Sequence, residues 1–281
     1  MGIFLGIDLG TSAAKAAALG PDGALLSAPR VFAPVPLSDT EGSFRRVLQS
    51  CGLSPEELEG IAATGSRSDG IPERFCGHSV RRIGEFEAAA AGALALSGEK
   101  SGVVVSLGTG TAFLYADGTS VRPLPGSGVG GGTLCGLCAN LIGTGRFEEI
   151  CTLAARGDLK RVDLTVGSLT SALPPALDPD MTLSNFGRSG GNASRADLAA
   201  GAVNLVLQAV GTMAVLACRC CGCGTAIFTG SLTELPQTEP CFRLFQRLYG
   251  VRFLIPGDAA YATALGAALT ALRQDADGRT V

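Results

Sequence analysis

The chain has 281 residues, 46% of them hydrophobic, and carries 22 Lys and Arg against 25 Asp and Glu for a formal net charge of −3. That length permits one large domain or two lobes with separate cores, and the acidic balance gives no general attraction to nucleic acid or acidic membrane surfaces. No uninterrupted apolar run reaches the roughly 20 residues that cross a bilayer, and Met1 to Ile7 meets Asp8 without the basic leader of a secretory signal, so a cytoplasmic location with reduced cysteines is expected.

In chain order the pattern alternates between strands and helices. Ile3 to Ile7 is a short apolar strand, and Lys15 to Leu19 returns from the turn Gly10-Thr11-Ser12 as the second arm of a hairpin, with Leu25-Leu26 opening a third strand. Phe44, Val47 and Leu48 have helical spacing, Ser54-Pro55 suits a helix cap and first turn, and Ile61 to Gly65 reads as another strand. The alanine-rich segment Glu85 to Leu96 favours helix. Ser97 to Gly102 breaks it and is the expected hinge, dividing the chain into lobes 1–98 and 99–281.

The second half opens in the same way. Val103 to Leu107 is a buried strand that enters Gly108-Thr109-Gly110-Thr111, and Ala112 to Tyr115 returns from it. A glycine run from Gly126 to Gly132 leads into a helix from Thr133 to Ile142, whose N-terminus favours an anion. The charge-free stretch Leu198 to Leu216 predicts a long helix buried between layers. Ala226 to Thr229 enters a fourth turn at Gly230-Ser231, and Gly257 to Ala268 predicts a final small-residue helix.

Glycine permits positive φ and removes side-chain bulk, so successive backbone N–H groups can converge on an anion while Thr and Ser hydroxyls add donors. Three such turns predict a bound polyphosphate. Asp8 suits Mg²⁺, a hard cation that prefers carboxylate oxygen, or else acts as a turn residue accepting backbone N–H bonds. Lys15 supplies a cation near a triphosphate or a partner for Asp8. Cys218, Cys220, Cys221 and Cys223 crowd four sulfurs into six residues, but the spaced second ligand pair of a zinc ribbon is absent.

The repeated hairpin and the late strand-Gly-Ser turn resemble the actin-like ATPase superfamily of sugar kinases and Hsp70 chaperones. Gly108-Thr109-Gly110-Thr111, Asp117-Gly118, Arg122, Gly128 to Thr133, Gly136-Leu137, Asn185-Phe186-Gly187 and Gly230-Ser231 are similar, in that order, to the type II pantothenate kinases, with Glu85-Phe86 before them. The resemblance runs from Gly6 to about Leu269. It implies a two-lobed α/β fold of the ribonuclease H-like kind with the nucleotide between the lobes, ATP and Mg²⁺ as cofactors, a homodimer, and phosphorylation of the primary hydroxyl of pantothenate in coenzyme A biosynthesis.

Carried over residue by residue, the resemblance implies an ATP site of Asp8, Gly10, Thr11, Ser12, Lys15, Thr109, Gly131, Gly132, Thr133, Leu134, Cys135, Phe147 and Ser231, with Asp8 as metal ligand. Glu85 is implied as the catalytic base, with Glu87 as the alternative and helix N-terminal charge stabilisation as the other role open to it. Arg122, Thr109 and Gly126 are implied around the acceptor. One departure bears on that acceptor: relatives carry two adjacent basic residues before the glycine run, and here the second is Pro123, which offers neither a cation nor a backbone donor. An actin-like ATPase that uses ATP as a conformational ligand, or a kinase for a related hydroxy-amide such as pantetheine, is the alternative reading.

Overall fold

A computed structural model describes residues 2–11, 14–32, 40–66, 71–169, 178–188 and 191–278. β1 (Ile3–Leu9) and β2 (Ala14–Leu19) are apolar on both faces rather than alternating, and both faces are buried. With β3 (Leu25–Phe32) they form an antiparallel meander. After α1 (Thr40–Cys51) the chain returns as β4 (Leu58–Thr64), parallel to β1. The short β5 (Arg74–Phe75) and β6 (His78–Arg82) complete a six-stranded sheet in the order β3-β2-β1-β4-β6-β5. α2 (Glu85–Ser97) follows and ends at Gly98 in the left-handed conformation.

The second half repeats this plan. β7 (Gly102–Leu107), β8 (Thr111–Ala116) and β9 (Val121–Ser127) form a meander. A long excursion comes next through α3 (Gly131–Ile142), α4 (Phe147–Ala154), β10 (Leu164–Thr165), α5 (Val166–Leu169), β11 (Thr182–Ser184) and α6 (Arg195–Cys221). The chain then returns as β12 (Thr225–Thr229), parallel to β7, followed by α7 (Thr238–Tyr249), β13 (Arg252–Leu254) and α8 (Ala262–Gly278). The second sheet runs β13-β12-β7-β8-β9. Apart from edge strand β5, the two sheets share strand order and orientation, so one motif occurs twice.

The two copies interlock through their closing helices. α2 places Ala89, Ala90 and Ala93 against Val104, Leu114 and Ile227 of the second sheet, whereas α8 places Ala264, Ala267 and Ala268 against Phe4, Ala17, Leu19 and Ala62 of the first. Arg81 on β6 fastens α8 by donating to the Ala271 carbonyl at 2.7 Å and pairing with Asp275. Where the helices cross, a Cβ on Gly92 would stand 1.8 Å from the Ala262 oxygen, and one on Gly266 would stand 1.8 Å from the Ala88 oxygen. The crossing is reciprocal, and any side chain at either position must push the helices apart. By packing, the terminal helix joins the first sheet, although the division expected at 98/99 puts it with residues 99–281.

Several boundaries move from their sequence positions for local reasons. The cap at Ser54-Pro55 opens only a 3-10 turn, Pro55–Glu57, because the residues from Leu58 onward are claimed by a buried strand. The last helix starts at Ala262 rather than Gly257 because Asp258 is left-handed, at φ 55, and breaks it. α6 extends the expected helix at both ends. At its start, Ser194 and Asp197 bond each other's backbone N–H groups in a capping box. Its 27 residues are long and apolar enough to span a membrane by length and composition. Instead Ala199, Val203, Val206, Leu207, Val210 and Ala214 lie in the core of the second lobe.

Candidate active site

Asp8 is next to last in β1, with Lys15 opposite it on β2 and Thr64 opposite it on β4, so the three share one end of the first sheet. Burial pushes the Asp8 carboxyl up to about 6, opposed by Lys15 and reinforced by the nearby charge of Glu85. Burial likewise lowers the Lys15 ammonium, countered by Asp8 and Glu234. Lys15 is 9% exposed, and its Nζ donates to the Ala260 carbonyl at 2.6 Å. This contact carries the first turn to the segment that leads into α8. Gly10 is half-buried and Thr11 exposed, with the Thr11 hydroxyl 3.2 Å from that of Ser66. Ser12 lies outside the described residues.

The duplication places a matching turn on each lobe. Gly65 follows β4 at φ 99, and a Cβ there would stand 2.5 Å from the Leu9 oxygen and 2.6 Å from Asp8 Oδ1. Gly230 follows β12 at φ 95, and a Cβ there would stand 2.3 Å from the Leu107 oxygen. Both positions need a left-handed residue without a side chain, so each parallel strand can turn directly over its neighbouring glycine turn. Just before these glycines, the hydroxyls of Thr64 and Thr229 are buried with no hydrogen-bond partner among the described residues.

The second and third glycine turns are fastened to each other. Gly131 N donates to the Gly108 oxygen at 2.9 Å and Gly132 N to the Thr109 oxygen at 2.8 Å. The Thr111 hydroxyl donates to the Val129 oxygen and the Thr133 hydroxyl to the Gly128 oxygen, both at 2.7 Å. Gly126 sits on β9 near the Thr111 carbonyl. Thr109 stands exposed at the tip of its turn. The Gly131 and Gly132 N–H groups, expected to face a nucleotide, are thus engaged in joining the second and third turns at the start of α3.

Glu85 is the first residue of α2 after Gly84, and partial burial raises its carboxyl above the ordinary range. Its charge reaches Asp8, so these two join Lys15 and Glu234 in one electrostatic group. Ser231 and Glu234 bound a 3-10 turn, and Gly230 N donates to the Ala259 oxygen at 2.9 Å. The adjoining residues Ala259 and Ala260 therefore tie the Gly230 turn to Lys15. Phe147 opens α4 and packs partly on the second core, while Cys135 is half-buried with its thiol raised by burial and by Glu148. Leu134 is fully buried in that core, so only its backbone can face a ligand.

The structure takes Arg122 elsewhere. It pairs with Tyr115, toward the end of β8 away from Thr111, where its Nη2 donates to Cys221 Sγ at 3.3 Å and its guanidinium lies 5.6 Å from the Tyr115 ring centroid. A side chain so held sits at the opposite end of β8 from the Gly108-Thr109-Gly110 turn. Of the cysteines near it, Cys218 is buried in the core and hydrogen-bonds Cys223, Cys220 is exposed, and Cys223 Sγ also donates to the Thr225 oxygen at 3.8 Å. Among the described residues no group of His, Cys, Asp and Glu is arranged to hold a metal ion. Glu234, Thr64, Thr229 and the Ala260 carbonyl were not foreseen. The repeated Thr-Gly-Ser at 64–66 and 229–231 is the sequence signal that identifies two of them.

A family profile described as Fumble matches residues 102–240. A type II pantothenate kinase of Staphylococcus epidermidis is 28% identical over 231 residues, which cover 76% of this chain and 84% of that protein. One from Bacillus cereus is 30% identical over 162 residues, covering 54% of this chain and 59% of the relative, so the match spans somewhat over half of that protein. Among solved structures, the activator of a Clostridium difficile 2-hydroxyisocaproyl-CoA dehydratase with bound ADPNP superposes with TM-score 0.70 at 16% identity, covering 99% of this chain and 97% of the other. A Streptomyces griseus glucokinase with glucose and AMPPNP superposes with TM-score 0.63 at 15% identity, covering 97% and 100%. These likenesses establish the two-lobed actin-like ATPase fold. By sequence, the chain is similar to type II pantothenate kinases over about three quarters of its length.

Proposed function

We propose that this chain transfers the γ-phosphoryl group of ATP to the primary hydroxyl of pantothenate, giving 4′-phosphopantothenate for coenzyme A biosynthesis in the cytoplasm. The observation that carries the reading is the gathering of Asp8, Lys15, Glu85 and Glu234 between two matching strand-turn units. Phosphoryl transfer needs the phosphates held in line, their charge neutralised and the acceptor proton removed. The loops around Gly10-Thr11 and Thr109, with the start of α3 at Gly131, Gly132 and Thr133, supply the first. Ser231 and Phe147 flank the nucleoside end.

The residues at the first turn fit Mg²⁺. The Asp8 carboxyl is raised by burial, the Lys15 ammonium is committed to a carbonyl, and the Thr64 hydroxyl at the same end of the sheet has no partner among the described residues. Asp8 would hold the ion, and Mg²⁺ when bound supplies charge neutralisation on the phosphates. Glu85 accepts the hydroxyl proton as the nucleophile becomes acidic, and its raised carboxyl is a stronger base than an exposed one. Release of Lys15 from Ala260 would let its ammonium reach the phosphates. Mass analysis of the product formed from ATP and pantothenate tests the reading.

A second acceptor is favoured by one observation. Arg122 is anchored at Cys221 and Tyr115, and Pro123 lacks a charge, so neither gives a cation for the carboxylate of pantothenate. An uncharged hydroxy-amide such as pantetheine avoids that demand. Offering pantothenate and pantetheine together in one assay decides which is taken. A homodimer through the exposed side of α6, where Thr212 and the 58%-exposed Leu216 lie, is part of the same proposal. Light scattering of the purified chain tests it.

A further inference from the structure

A cavity of about 860 Å³ lies in the second lobe, and none of its lining residues belongs to the glycine turns. Lys160, Arg161 and Arg188 line it beside the apolar Val162, Leu164, Phe186 and Leu198. Three cations around one cavity stand out on a chain of net charge −3. The volume lies within the range that takes small organic ligands.

The wall of this cavity is held by a buried carboxylate. Asp163 is fully buried and accepts hydrogen bonds from Phe186 N at 2.8 Å, Asn204 Nδ2 at 2.7 Å and Asn185 Nδ2 at 3.2 Å. That clamp fixes Phe186 at φ 55, a strained value for an aromatic residue, and its ring lies against Gly201 of α6. The next residues are fixed in turn, since Arg188 N donates to the Val162 oxygen at 3.0 Å and Arg188 Nε to the Asp163 oxygen at 3.3 Å.

The nearby carboxylates are already engaged. Asp197 accepts from Ser194 N and Asp158 N. Asp158, on the cavity wall, accepts from Lys160 N at 3.0 Å and stands 3.9 Å from Arg161 Nε. Among the described residues no carboxylate pairs with the side chains of Lys160 or Arg188, so the cavity keeps a net positive charge over an apolar floor.

We propose that this cavity binds an organic phosphate with an apolar body, the phosphate on Lys160, Arg161 and Arg188 and the apolar part against Phe186, Leu164 and Leu198. A guanidinium fork matches a phosphate bidentately, and lysine adds a point charge. The site is separate from the nucleotide cleft, so a bound molecule there reports on the enzyme without competing for ATP.

The test is titration calorimetry on the full chain with n-hexyl phosphate, inorganic phosphate and n-hexanol, each with AMPPNP and Mg²⁺ present to fill the glycine turns. The expected result is that n-hexyl phosphate binds at least about tenfold more tightly than either half-molecule, equivalent to about 1.4 kcal/mol. Lys160→Glu with Arg161→Glu, at exposed positions, should weaken it by about tenfold or more and leave ATP turnover unchanged. Undiminished binding in that double variant, or n-hexyl phosphate binding no more tightly than inorganic phosphate or n-hexanol, would overturn the proposal. The readout is binding, so failure of the kinase reading leaves this result interpretable.

Discussion

Replacing Asp8 with Asn should stabilise the ligand-free protein while removing its response to Mg²⁺ and ATP. Burial raises the carboxyl from 3.8 to about 6, so the unfolded chain ionises first as pH rises. The group therefore leaves native stability untouched below about 4 and weakens it progressively until the folded value is passed. A shift of about two units at about 1.4 kcal/mol each gives a native-state penalty near 3 kcal/mol at pH 7. The attraction of Lys15 is already contained in that net shift, so the expected gain is about 2–3 kcal/mol. Urea denaturation of the parent and Asp8→Asn at pH 7 and pH 4, without nucleotide, measures it. The gain should appear at pH 7 and fade at pH 4, and Mg²⁺ with ATP should stabilise the parent alone. A variant no more stable than its parent at pH 7, or one whose gain is the same at both pH values, refutes the reasoning.

Glu85→Gln should lower kcat by about 10²–10⁴-fold with nucleotide affinity retained, as measured by steady-state kinetics and calorimetry. Because the base must be ionised and burial raises it, kcat/KM of the parent should fall on the acid side at a pH above the ordinary carboxylate range, and the residual activity of the variant should lack that limb. Gly266→Ala forces a methyl to within 1.8 Å of the Ala88 oxygen and should cost about 1–3 kcal/mol in urea denaturation. A tolerated alanine would show that α2 and α8 do not lock the lobes at their crossing. Asp163→Ala removes the acceptor shared by Asn185, Phe186 and Asn204 and should destabilise by about 3 kcal/mol or more, read from the shift in the urea midpoint.

The glycine turns and most strands were legible because they depend on local chemistry. A glycine after an apolar run, an N-cap serine and a run of alanines each carry their own structural preference. The Asp8-Leu9-Gly10-Thr11 and Ser106-Leu107-Gly108-Thr109 segments revealed the duplication for the same reason. What stayed hidden depends on contacts distant in sequence. Nothing local to Arg122 foretells the Cys221 sulfur 99 residues away, and nothing around Lys15 foretells the Ala260 carbonyl 245 residues away. α8 reads as an ordinary small-residue helix, and its place on the first sheet follows from the reciprocal crossing at Gly92 and Gly266. The second-lobe cavity is built by Asp163, whose partners lie 22 to 41 residues downstream.

The central claim is that the cleft transfers phosphate from ATP to pantothenate, and the most direct measurement follows both substrates and product in one reaction by mass spectrometry. The expected result is Mg²⁺-dependent loss of ATP matched by a species one phosphoryl group heavier than pantothenate, absent in Glu85→Gln. ATP consumed to ADP and inorganic phosphate with pantothenate unmodified would contradict it.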